Sequence, residues 1–150
     1  MLGPVEIYKG RPICYGLGNF IWSDIQECVS GALHAAARAR FGDALGDPAM
    51  VTDADVNRVF NASEFADSRF FESVLVELSY AGGEPAVHLR PIDLRYGSRL
   101  TESGVPRLAD ESTARAIVER LDGMSRPFGT AVELRDGVGH AVTSQKRGAS

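Results

Sequence analysis

Residues 5–20, VEIYKGRPICYGLGNF, decide how the rest of the chain is read. Val5 to Tyr8 and Ile13 to Leu17 are β-branched and aromatic runs, and Lys9-Gly10-Arg11-Pro12 between them is turn chemistry, so the spacing predicts a hairpin. Gly16 and Gly18 then mark a corner where the backbone bends sharply or is closely approached. A hairpin that ends in such a corner sets the expectation of antiparallel β-structure with a site-forming bend.

Beyond the corner, residues 24–41 read as helix, with Ile25, Val29, Leu33 and Ala36 near helical spacing and a fade at Phe41-Gly42-Asp43. Thr52 followed by Asp55 predicts a capping box opening a short helix with Val56, Val59 and Phe60 on one face, and 61–67 as loop. Residues 72–80 alternate as a strand, Val74, Val76, Leu78 and Tyr80 facing one way and Ser73, Glu77 and Ser79 the other. The chain turns at 81–84 and returns over 87–94, where Pro91 points to an edge position or a bulge.

Residues 95–108 form a connection. Asp110 is placed as an N-cap, Ala114, Ile117, Val118 and Leu121 share one helix face, and Gly123 is expected to end that helix as C′. Residues 130–134 and 138–142 read as a last hairpin across Arg135-Asp136-Gly137, followed by a polar tail at 144–150.

The chain has 150 residues, a 44% hydrophobic and 24% charged composition and a net charge of −4, values of an ordinary globular domain. Lys and Arg are scattered, so there is no basic stripe for a phosphate backbone and nucleic acid is not an expected partner. Apolar runs are too short for a spanning helix, and the opening residues lack the regions of a secretory signal, so no direct membrane insertion is expected of this segment. Localisation stays open.

Little in the residues points to chemistry. Cys14 and Cys28 lack CxxC spacing, and Cys14 between Ile13 and Tyr15 reads as a small buried hydrophobe. His34, His88 and His140 form no HxH or HxxxH pair, so each reads as a structural histidine and no metal ligand is assigned. Gly16-Leu17-Gly18 lacks the third glycine of a phosphate-binding loop, Ile21 standing there, and reads as a turn. No GxSxG elbow or Cys-His signature is present, so no catalytic residue is assigned.

The opening stretch nevertheless resembles a specific segment of bacterial poly-γ-glutamate capsule biosynthesis proteins, the CapA family. Val5-Glu6, Tyr8-Lys9-Gly10-Arg11, Ile13 and Tyr15-Gly16-Leu17-Gly18-Asn19-Phe20 match the pattern that in that family follows the histidine-containing motif near the end of the catalytic domain. FFESVLVELSYAGG through LRPIDL resembles the family's late strand pair. GVPRLADESTARAIVERLDGMSRPFGT with VELRDGVG resembles its C-terminal helix and closing hairpin. The likeness runs over residues 5–139.

The family is similar to the calcineurin-like metallophosphatases. The resemblance therefore implies an α+β fold, the C-terminal portion of a calcineurin-like α/β sandwich, made mostly of antiparallel hairpins with two or three helices. It implies that residues 1–143 are the C-terminal segment of such a domain, starting just past the last metal-binding motif. Two divalent metals are expected in a complete relative and no cofactor in this chain, because the family's upstream ligand motifs have no counterpart here. Gly18 and Asn19 would border the site of a whole protein.

The function implied is a role in capsule or polyglutamate production by a C-terminal fragment inactive alone. Its expected partner is the missing N-terminal half or another protein, with self-association as a further outcome. The alternatives are a self-standing partner-binding module and one half of a split metal-dependent hydrolase.

Overall fold

The computed structural model describes residues 1–21, 28–80, 85–99 and 101–143. The expected turn at 81–84 and the polar tail at 144–150 lie outside the described residues. The fold is α+β: among the described residues all strand pairings are antiparallel and there are three α-helices. No helix among them is long and apolar enough to cross a membrane. The chain divides into two compact units, one formed by residues 1–22 and 69–150 and the other by 23–68.

In the first unit, β1 (Val5–Tyr8) and β2 (Arg11–Cys14) form the expected hairpin, with a tighter turn than the sequence suggested. Only Lys9 and Gly10 turn, at φ 49° and 72°, and Arg11 and Pro12 belong to the strand. Positive φ at both turn residues matches the right-handed twist of the strands and lets two residues suffice. Pro12 faces Ile7 in the register, and the Ile7 N–H points away from β2, donating to Thr130 Oγ1 over 3.0 Å. The pair is thus a non-hydrogen-bonded one, in which a residue lacking an N–H loses nothing.

The main sheet runs β3 (Glu72–Ser79), β4 (Ala86–Asp93), β7 (Val138–Thr143), β6 (Thr130–Arg135), with the two-residue β5 (Arg107–Leu108) also on β4. Pro91 is neither at an edge nor in a bulge, since β4 lies between β3 and β7 and Val74↔Pro91 sits in unbroken register. On its other side the pairing with β7 stops at Leu89↔Gly139 and that with β5 starts at Ile92↔Leu108. Pro91 stands in this gap, where its carbonyl accepts from the Ala109 N–H. Ser73, expected on the face opposite Val74, is buried beneath the Gly18 corner, whereas Leu78 and Tyr80, expected on the face of Val74, are exposed.

Helix α3 (Glu111–Ser125) covers one sheet face, capped by Asp110, whose carboxylate accepts from the Thr113 N–H. Ala114, Ile117, Val118 and Leu121 are buried, the last three in a core with Val5, Val74, Val87, Leu89, Val132 and Ala141. Burying each such Leu, Ile or Val contributes about 1.5–3 kcal/mol. The helix does not end at Gly123. Met124 packs against the core and the Ser125 hydroxyl accepts from the Val5 N–H, so the chain stays helical past Gly123, tightens into a 3-10 turn (Arg126–Phe128) and is closed by left-handed Gly129. An Arg120–Glu72 ion pair ties the helix to the start of β3.

The second unit holds α1 (Gly31–Phe41) and α2 (Asp53–Glu64). Helix α1 starts later than expected: the Ser30 hydroxyl accepts from the Leu33 N–H and sets the N-cap, and residues 24–27 lie outside the described ones. Ala37 is its buried residue, with half-buried Leu33 and Phe41 four positions to either side packed on the same core, rather than a stripe through exposed Ala36, because Ala37 continues the spacing of Leu33. Thr52 and Asp55 form the reciprocal capping box. Helix α2 then runs on through residues 61–64, expected to be loop, with the Asn61 side-chain amide donating to the Asn57 carbonyl. Val29, Ala37, Leu45, Val56 and Val59 form the core, with Phe41 and Phe60 edge to face at 5.2 Å.

Candidate functional site

The corner after β2 is held by backbone contacts. Gly3 N–H donates to the Gly16 carbonyl over 2.9 Å, Tyr15 N–H to the Pro4 carbonyl over 3.0 Å, and Leu2 bridges Leu17. The Leu17 carbonyl in turn accepts from the Val74 N–H over 2.9 Å, so the corner docks on the outer edge of β3. Gly18 has φ +80°, and a Cβ there would lie 2.6 Å from the Glu72 carbonyl oxygen. Conformation and contact both demand glycine, so Gly18 is a turn residue clamped on a strand. Asn19 follows it, half-buried.

Other motif residues have equally local reasons. The Tyr15 hydroxyl donates to Glu6 Oε2 over 2.6 Å, which raises the Tyr15 pKa, and the Tyr15 ring lies 5.4 Å from that of Phe128. Cys14 is half-buried against the core, and burial raises its pKa, leaving it a weaker nucleophile than a free thiol. Cys28 is exposed.

The dimetal centre implied for a complete relative does not fit these residues. Among the described residues no three His, Cys, Asp or Glu side chains converge to hold an ion. His34, in the second unit, bonds Asp53 over 2.6 Å, and Asp53 also accepts from the Val29 N–H.

The other two histidines do not stand alone. His88 on β4 and His140 on β7 are register partners, with ring centroids 4.7 Å apart and planes at 67°. Glu77 pairs with His88 and Glu133 with His140, giving a row Glu77, His88, His140, Glu133 across four strands. Alternation with buried Val87, Leu89, Gly139 and Ala141 turns the row away from α3. Arg90 holds Glu77 over 3.0 Å and Arg135 holds Glu133 over 2.7 Å. Partial burial lowers the His140 pKa, with help from His88 beside it. A cavity of about 240 Å³ beside β4 and β7 is lined by both histidines but also by Ile7, Val87 and Ala141, which belong to the core side, so it is not a pocket of the histidine face alone. No motif could reveal this pair, because it depends on which strands become neighbours; two histidines on opposed alternation positions were the sole signal.

No family model matches the chain. Two uncharacterized proteins of Sinorhizobium fredii (strain NBRC 101917 / NGR234), y4sH and y4uA, are each 34% identical to it over 146 residues. The match covers 90% of this chain and 30% of each relative, so the chain spans about a third of the length of the curated relatives it matches.

Proposed function

We propose that this chain is a C-terminal part of a CapA-like protein that serves poly-γ-glutamate or capsule biosynthesis, with a calcineurin-like ancestry and no phosphoesterase activity by itself. The reading rests on the motif in residues 5–20, whose glycines occupy positions that the backbone requires: Gly10 turns at φ 72°, Gly16 would clash with the Met1 carbonyl at 2.9 Å if it bore a Cβ, and Gly18 abuts Glu72. The greater length of the relatives accords with it. Deleting the gene in the bacterium that carries it and measuring γ-linked glutamate polymer at the cell surface tests the role. A reduced yield is expected, and an unchanged yield in a polymer-producing strain would overturn it.

Partner docking is a second reading, favoured by one observation. Tyr8, Ile13, Tyr15, Leu17, Phe20 and Ile21 are between 38% and 68% exposed within one short segment, beside the outer edge of β2, which pairs only with β1 among the described residues. A cluster of exposed apolar side chains in one short segment suits side-chain docking of another polypeptide, while Pro12, whose nitrogen faces the outer edge of β2, disfavours pairing by strand addition there. A Phe20→Ser/Ile21→Ser variant that keeps its fold should lose self-association or partner capture in sedimentation experiments; an unchanged assembly state would exclude this surface.

A further inference from the structure

We propose that His88 and His140 form a two-imidazole site for a late first-row divalent cation of the Ni2+, Cu2+ or Zn2+ class. This is independent of the capsule reading.

The geometry carries it. A metal–nitrogen bond is about 2.0–2.1 Å, which puts an imidazole centroid about 3.2 Å from the ion. Two rings at adjacent square or tetrahedral positions then have centroids about 4.5–5.2 Å apart. The observed separation is 4.7 Å, reached without an ion by side chains that the strand register already opposes. Ring rotations that aim one nitrogen of each imidazole at a common point complete the site.

The neighbours define the class of ion. Glu77 and Glu133 flank the rings and are paired with Arg90 and Arg135, so two carboxylates and two guanidiniums balance in charge and the imidazoles are the nitrogen donors of the site. Nitrogen ligands select borderline cations over Mg2+ and Ca2+, which prefer oxygen. With two donors supplied, water or an exogenous ligand fills the other positions.

The test is calorimetric titration of Ni2+ into the full chain in a Cys28→Ser background, which removes the exposed thiol as a competitor. One ion per chain is expected, with a raised melting temperature and no response to Mg2+. His88→Phe and His140→Phe keep an aromatic ring at the contact and remove the donor. Each should weaken Ni2+ binding at least about tenfold, about 1.4 kcal/mol, whereas His34→Ala should leave it unchanged. In the Cu2+-loaded protein, electron paramagnetic resonance should show coupling to two imidazole nitrogens. Undiminished Ni2+ binding in the folded His88→Phe/His140→Phe variant, or no binding by the parent chain, would overturn the proposal and leave the pair a packing contact.

Discussion

The Val5 backbone N–H donates to the Ser125 hydroxyl over 2.9 Å, joining residues 120 positions apart with both ends buried. Thr130 repeats the arrangement for Ile7. The outer edge of β1 therefore finishes its hydrogen bonds on hydroxyls from the end of α3 and the start of β6 rather than on another strand.

Ser125→Ala should accordingly destabilise the protein by about 1–3 kcal/mol, because the Val5 N–H would be buried without a partner. Ser112→Ala, which removes an exposed hydroxyl bonded to Asp110, should change stability by less than about 0.5 kcal/mol. Urea unfolding measures both. Equal midpoints would mean that water replaces the serine hydroxyl.

Gly18→Ala should be far more damaging than Asn19→Ala. The new Cβ would be forced against the Glu72 carbonyl at 2.6 Å and into a left-handed conformation, a combined cost of several kcal/mol, whereas Asn19 is half-buried in the bend. Melting temperatures of the two variants decide it; matching values would exclude the corner's docking on β3.

Structure fixed by neighbours in the chain was legible in the sequence, and structure fixed by distant partners was not. The Thr52–Asp55 box, the Asp110 cap and the Asp136-Gly137 turn involve contacts within a few residues, so composition reveals them. Pro91 read as an edge because its tolerance depends on where β7 stops and β5 starts. The His88–His140 pair was invisible for the same reason, since β4 and β7 become neighbours only when the sheet closes. The helix around Gly123 read as terminated because the Ser125 bond to Val5 that prolongs it comes from the other end of the chain.

Gly123→Ala tests that last point. Gly123 lies inside α3, and a Cβ there would meet nothing within 4 Å. Alanine should therefore stabilise the protein by about 0.5–1 kcal/mol, through higher helix propensity and a less flexible unfolded chain. A left-handed C′ residue would give the opposite sign. Gly139→Ala is the counterpart in the core, since its Cβ would sit 3.2 Å from Val118 and Val132 methyls and cost about 1–3 kcal/mol. Denaturant midpoints that moved in the same direction for both variants would contradict the placement of one of them.

The second unit should lose stability in acid through Asp53. The His34 ring bond and then the Val29 N–H bond hold the Asp53 pKa below its ordinary 3.8 in the folded state. A depressed folded pKa means that the unfolded chain binds the proton more tightly, so this stabilisation is fully present above 3.8 and is lost as the pH falls through the lower folded value. Asp53→Asn should flatten that part of the pH dependence while lowering stability at neutral pH. Following the Val29 amide resonance from about pH 6 to about pH 3 in both proteins isolates the effect, because that N–H donates directly to the carboxylate. An identical acid titration of the amide in the parent and the variant would remove Asp53 from the account.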